Sequence, residues 1–208
     1  MAGLNPQSQL LTIAGPAGPL ELAIDAPPDM APRGVVVVCH PHPLHGGTMD
    51  NKVVQTLARA FLQLGYRVAR FNFRGVGASA GQYDEGRGEV DDALAVIAAV
   101  RDPALSLALA GFSFGAYVAA AAAVRLPADQ AAERLALVGP ATSRFPVPPV
   151  PADTLVIHGE TDDVVPLQAT LDWARPQVLP VVVVPGVGHF FHGQLSVLKS
   201  LVTGAWHR

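Results

Sequence analysis

The chain has 208 residues, half of them hydrophobic and 15% charged, with a formal net charge of −3. That length accommodates one α/β domain with a full core. The mild acidity argues against a nucleic-acid partner, and no apolar run approaches the roughly 18 residues of a membrane span. The single Cys39 cannot close an internal disulfide, and Met1–Leu10 lacks a basic region followed by an apolar run. Both point to a cytoplasmic location.

Taken in order, Leu10–Ile13 and Leu20–Asp25 read as two short strands around a Gly/Pro turn, a hairpin. Val35–Cys39 is a continuous β-branched run, as expected of a strand covered on both faces. Asp50–Leu64 has helical periodicity, with Val53, Val54, Leu57, Phe61 and Leu64 on one stripe and Gly65 as its stop. Tyr66–Phe73 is the next strand, and Glu89–Arg101 the next helix. Leu105–Ala110 is a strand and Ser113–Leu126 a helix, halted at Pro127. Arg134–Val138, Thr154–His158 and Val181–Val184 are further strands; Leu167–Ala174 and Phe190–Thr203 are the remaining helices. Apolar strands alternating with amphipathic helices predict an α/β fold, a mostly parallel central sheet with helices on both faces. There is no internal repeat and no long linker, so residues 1–208 are expected to form a single domain. Gly139–Asp153 holds five prolines and no helical periodicity, too short a stretch for a cap domain. Any site at the carboxyl ends of these strands is therefore expected to be open.

The chemistry is concentrated at those strand ends. Leu105–Ala110 runs into Gly111-Phe112-Ser113-Phe114-Gly115, and an alanine-rich helix follows. A strand feeding a helix through a sharp turn presents a serine free of its neighbours, and a Cβ at either glycine would crowd the turn. Gly77-Ala78-Ser79-Ala80-Gly81 also reads Gly-x-Ser-x-Gly, but it sits among five glycines between residues 74 and 88, with no strand before it and no helix after it. Ser113 is therefore the expected nucleophile. A serine nucleophile needs a base, and the base an orienting acid. Thr154–His158 is followed by Gly159-Glu160-Thr161-Asp162-Asp163, where Asp162 stands at the turn apex and Asp163 is expected to cap or begin the next helix. Val181–Val184 leads into Pro185-Gly186-Val187-Gly188-His189, whose glycines let the loop bend His189 toward Ser113. His192 is the rival base, but its place is inside the following helix. The order Ser113, Asp162, His189 is the one such sheets use.

An oxyanion hole needs two backbone N–H groups. Phe114 supplies one, next to the nucleophile. The other belongs to the loop after Val35–Cys39, His40-Pro41-His42-Pro43-Leu44-His45-Gly46-Gly47. Proline has no N–H, which leaves His42 or Leu44, with the proline-flanked His42 preferred. The same loop carries a competing pattern: His40, His42 and His45 have metal-ligand spacing. That reading leaves the Ser113 elbow unexplained, and no metal is expected.

With these residues in place, the chain resembles the α/β-hydrolase superfamily. More narrowly, it is similar to the small capless bacterial serine hydrolases related to dienelactone hydrolase. The resemblance rests on the His40–Val54 and Phe71–Ser79 segments, the elbow with Ala116-Tyr117, and the Asp162 and His189 segments. It implies hydrolysis of carboxylic esters through an acyl-enzyme, without a cofactor, on a small-molecule substrate. Thioester or amide hydrolysis by the same three residues stays open, as does a non-catalytic binding role. Dienelactone hydrolases proper carry cysteine where Ser113 stands, so their substrate does not carry over. Nothing in the sequence fixes an oligomeric state.

Overall fold

The computed structural model describes residues 8–28 and 30–206. The expectation drawn from Met1–Leu10 rests mainly on residues outside that range. One eight-stranded sheet runs through the molecule, formed by β1 (Gln9–Gly15), β2 (Gly18–Asp25), β3 (Gly34–Cys39), β4 (Tyr66–Phe71), β5 (Ser106–Phe112), β6 (Arg134–Val138), β7 (Leu155–Gly159) and β8 (Val181–Val184). Its strand order is β1-β2-β4-β3-β5-β6-β7-β8. The β1–β2 and β2–β4 pairs are antiparallel and all pairs from β4 to β8 are parallel. Among the described residues five α-helices cover it: α1 (Lys52–Gln63), α2 (Arg87–Val100), α3 (Phe114–Arg125), α4 (Leu167–Ala174) and α5 (Leu195–Ala205).

The continuous apolar runs are explained by burial on both faces. In β3, Val36 and Val38 face a core shared with Val54, Leu57 and Phe61 of α1 and Leu198 of α5. Their neighbours Val37 and Cys39 face the opposite core, with Val96 and Ile97 of α2 and Val118 of α3. Each fully buried Leu, Val or Phe contributes about 1.5–3 kcal/mol relative to exposure. The helix α1 starts where the Asn51 side chain accepts from the Val53 amide at 2.9 Å, a cap that a continuous apolar stripe does not reveal. It ends at Gly65, whose φ of 84° suits glycine.

Among the departures from the sequence reading are two element boundaries and the place of Asp163. β4 ends at Phe71, and Asn72 and Phe73 continue as loop. α4 starts at Leu167 behind Pro166, so Asp163 neither caps nor begins it. α5 starts at Leu195 rather than Phe190. The stretch before it is a turn, with Phe191 at φ 52° and Gly193 at φ 74°, so the apolar residues there mimic a helical stripe without forming one. His192 is exposed in that turn, outside the helix.

Among the described residues there is no cap domain. Residues 139–153 lie down against α4 instead: Val147 is buried, its carbonyl accepts from Trp173 Nε1 at 2.9 Å, and the Val150 amide donates to the Gln177 side chain at 2.9 Å. Among the described residues, no helix is long and apolar enough to cross a membrane.

Candidate active site

The strand ends of β3, β5, β6, β7 and β8 meet at Ser113. This serine sits between β5 and α3 at φ 57° and ψ −118°, a left-handed conformation that costs a non-glycine residue about 1–3 kcal/mol and is held by its surroundings. The Ser113 amide donates to the Val138 carbonyl of β6 at 2.9 Å, and the Ser113 carbonyl accepts from Ala116 at the head of α3. The flanking glycines are sterically required. A Cβ on Gly111 would stand 2.2 Å from the Gly115 carbonyl oxygen, and one on Gly115 would stand 2.3 Å from that of Cys39.

Ser113 Oγ lies 2.9 Å from His189 Nε2, and His189 Nδ1 lies 2.6 Å from Asp162 Oδ2. All three residues are buried. Because an ionised Asp162 only accepts, the partners assign the proton to Nδ1 and leave Nε2 to accept from the serine hydroxyl. The second carboxylate oxygen, Oδ1, accepts from the Val164 and Val165 amides at 2.9 and 2.7 Å. Burial opposes the charged carboxylate, but the bonds from His189, Val165 and Val164 outweigh it, and Asp162 is held below the usual carboxylate range.

The loops bearing acid and base are zipped together. Glu160 and Thr161 donate their amides to the carbonyls of Val184 and Val187 at 3.0 Å, and the Glu160 carboxylate accepts from the Gly186 amide at 2.8 Å. Gly159 permits this approach, since a Cβ there would meet the Val187 carbonyl oxygen at 2.3 Å. The His189 ring is clasped by Phe112 and Phe190, with centroids 4.8 and 5.1 Å away. The expected acid and base therefore meet the expected nucleophile, while Asp163 and His192 have no part in this chain of bonds.

Phe114 opens α3, so its amide has no partner within the helix and lies beside Ser113. In the β3 loop, the Leu44 amide is taken up by His42 Nδ1 at 3.2 Å. That leaves His42 as the better candidate for the second oxyanion donor. Its ring is wedged among those of His45, Tyr83 and Phe114, at centroid distances of 4.6–5.1 Å, which stiffens the loop.

The three histidines of this loop do not converge on one point. His40 is fully buried, with Nδ1 on the Pro41 carbonyl at 2.6 Å and Nε2 accepting from the Phe73 amide at 3.0 Å. Both of its ring nitrogens are committed to the backbone, so it has none to offer a metal. Ser79 is equally occupied: its buried hydroxyl donates to the Asn72 carbonyl at 2.7 Å and accepts from the Glu21 amide at 2.9 Å. It pins the loop after β4 to β2.

Two features escape the sequence reading. His158, at the end of β7, is fully buried behind the acid, with Nε2 2.9 Å from the Val165 carbonyl and 3.4 Å from Asp162 Oδ2. Its Nδ1 pairs with Thr170, which in turn pairs with Thr142. The signal is a polar residue ending an otherwise apolar strand. Arg144 belongs to the wall of a cavity of about 250 Å³ that opens beside Ser113; a loop residue without periodicity gives no warning of that.

The chain as a whole is similar to known proteins. A family model described as "Serine aminopeptidase, S33" matches residues 30–153, which include the elbow and end before Asp162 and His189. The α/β serine hydrolase without lid from Xanthomonas campestris is 42% identical, with a TM-score of 0.90 over 99% of this chain and 96% of that one. An alpha-beta serine hydrolase homologue from Coxiella burnetii is 40% identical, with a TM-score of 0.84 over 99% of this chain and 100% of that one. An uncharacterized protein of Rickettsia prowazekii (strain Madrid E) is 37% identical over 139 residues, which span 63% of this chain and 58% of that protein. With a family model matched over more than half its length and close structural relatives along nearly all of it, the chain belongs to the α/β serine hydrolases of the Serine aminopeptidase, S33 family.

Proposed function

We propose that this chain, as one domain, hydrolyses carboxylic esters through an acyl-enzyme, with Ser113 as nucleophile, His189 as base and Asp162 as the acid that orients it. The observation that carries the reading is the hydrogen-bonded series Asp162–His189–Ser113, at 2.6 and 2.9 Å, ending on a serine held at positive φ. His189 Nε2 takes the hydroxyl proton as Oγ attacks the ester carbonyl. The imidazolium that forms is stabilised by Asp162, whose carboxylate stays ionised because three hydrogen bonds favour its charge. The negative charge on the former carbonyl oxygen falls to the amides of Phe114 and His42. The intermediate collapses as His189 returns the proton to the leaving alcohol, and water repeats the cycle on the acyl-serine. No step needs a cofactor.

The residues around Ser113 favour an ester over a peptide with a free amino terminus. Among the described residues no Asp or Glu lines the cavity beside Ser113, so no carboxylate there would pair with an α-ammonium group. The test is turnover of p-nitrophenyl acetate. Ser113→Ala should lower it about a thousandfold or more while the far-ultraviolet circular dichroism stays unchanged. Near-normal turnover in that variant would refute the assignment.

A further inference from the structure

The cavity beside Ser113 has a definite chemical character. Its walls are apolar, formed by Phe114, Phe145, Phe190, Val164 and Val165. At about 250 Å³ it lies at the small end of ligand pockets, a size for a ring or a short branched group and not for a long chain. The ionisable side chains that line it are Arg144, His42 and His45, all of them basic.

Arg144 is placed there by the turn above the nucleophile. The Ala141 amide donates to the Ser113 carbonyl at 3.3 Å, and the Ala141 carbonyl accepts from the amides of Arg144 and Phe145 at 3.0 Å. Arg144 and Phe145 thus hang one turn from the backbone of Ser113. Nearly every other arginine of the described residues is engaged: Arg70 and Arg74 in buried ion pairs, Arg87, Arg125 and Arg175 in surface ones. Arg67, Arg101 and Arg134 bond backbone carbonyls. The Arg144 guanidinium has no hydrogen-bond or ion-pair partner among the described residues, although it borders an apolar cavity that holds the proposed nucleophile. Its field reaches His42, another residue of the lining: burial first, then His45 and Arg144, hold His42 below the ordinary histidine range.

Resting on the ester-hydrolase reading, we infer that the preferred substrate is a compact aryl or short-chain ester carrying a carboxylate, with Arg144 as the residue that selects the charge. The apolar walls take the ring-sized body, and the fixed fork of the guanidinium pairs with the carboxylate at the rim. Arg144 makes no contact with the reacting atoms; it fixes which ester is held over Ser113.

The experiment uses two pairs of esters. In the first, the charge is on the acyl side: 4-nitrophenyl 4-carboxybenzoate against 4-nitrophenyl 4-methylbenzoate. In the second, it is on the leaving group: 4-acetoxybenzoate against 4-methylphenyl acetate. The readout is the ratio of kcat/KM for the anionic over the neutral member, compared between protein variants so that intrinsic reactivity cancels. Arg144→Gln should lower that ratio about tenfold or more in one pair, the usual worth of a hydrogen bond to a charged group. Arg144→Lys should recover a large part of it, and Arg144→Glu should push it below the Gln value. The pair that responds tells which side of the ester the cavity holds. A ratio that Arg144→Gln leaves unchanged in both pairs overturns the inference while Ser113-dependent turnover keeps the ester reading intact. Absence of Ser113-dependent turnover of all four esters overturns both.

Discussion

At the scale of single residues, the two Gly-x-Ser-x-Gly matches show how one pattern serves two purposes. Ser113 stands at φ 57° with its hydroxyl directed to His189. Ser79 uses both sides of its hydroxyl to tie Asn72 to Glu21. Asp162 is set apart from Asp163 in the same manner, by what each oxygen does: Oδ2 serves His189, and Oδ1 takes the amides of Val164 and Val165. This arrangement predicts the effect of Asp162→Asn. The two amides hold the carbonyl oxygen of the asparagine, so its NH₂ group faces His189 Nδ1. That forces the histidine proton onto Nε2, where it can no longer accept from Ser113. Ester turnover should fall about 10³–10⁴-fold in steady-state assays with the fold retained. Turnover within tenfold of the parent would contradict the role given to Asp162. Ser113, Asp162 and His189 were legible in the sequence because each follows an apolar strand at a short, glycine-marked interval. Arg144, and the buried chain from His158 through Thr170 to Thr142, were not, because their partners come from loops whose course no periodicity records.

At the scale of elements, the strands were the most legible part. Runs such as Val35–Val38 can only be satisfied where both faces are covered, and β3 is fully buried. Helix ends were less legible, since capping by Asn51 and the positive φ of Phe191 are decided by single backbone positions. Two histidines at strand ends, His40 just after β3 and His158 next to the last residue of β7, bond the backbone. Burial pushes His40 down to about 4 and lowers His158 in the same direction. His40 is neutral in the folded chain near pH 6, whereas in the unfolded chain a histidine takes up a proton below about 6.5. The unfolded state therefore binds more protons, and stability falls as the pH is lowered. The loss should begin near pH 6.5 and continue to about pH 4, reaching about 3 kcal/mol for His40 alone. Urea unfolding between pH 7.5 and 4.5 checks this, and His40→Asn should flatten the dependence. A stability that stays level across that range would show that these histidines are not buried as neutral groups.

At the scale of the whole molecule, the decisive feature is what lies between β6 and β7. Larger insertions there would roof the site; here a proline-rich segment is strapped to α4 by Trp173 and to the turn after it by Gln177. Ser113 therefore lies on a small cavity that the same segment walls in part, through Ala141, Arg144 and Phe145. The sequence predicted the missing cap from the shortness of this stretch, but not that the stretch would form one wall of the site. Sheet, elbow and loops together support one claim: a single activated serine. Its most direct test is intact-mass and peptide mass spectrometry after exposure to an alkyl fluorophosphonate, in which Oγ displaces fluoride from phosphorus. The account predicts one adduct per chain, located on Ser113, lost in Ser113→Ala and strongly slowed in His189→Ala, with Ser79 unmodified. An adduct that persists in Ser113→Ala, or no adduct on the folded parent protein, would contradict it.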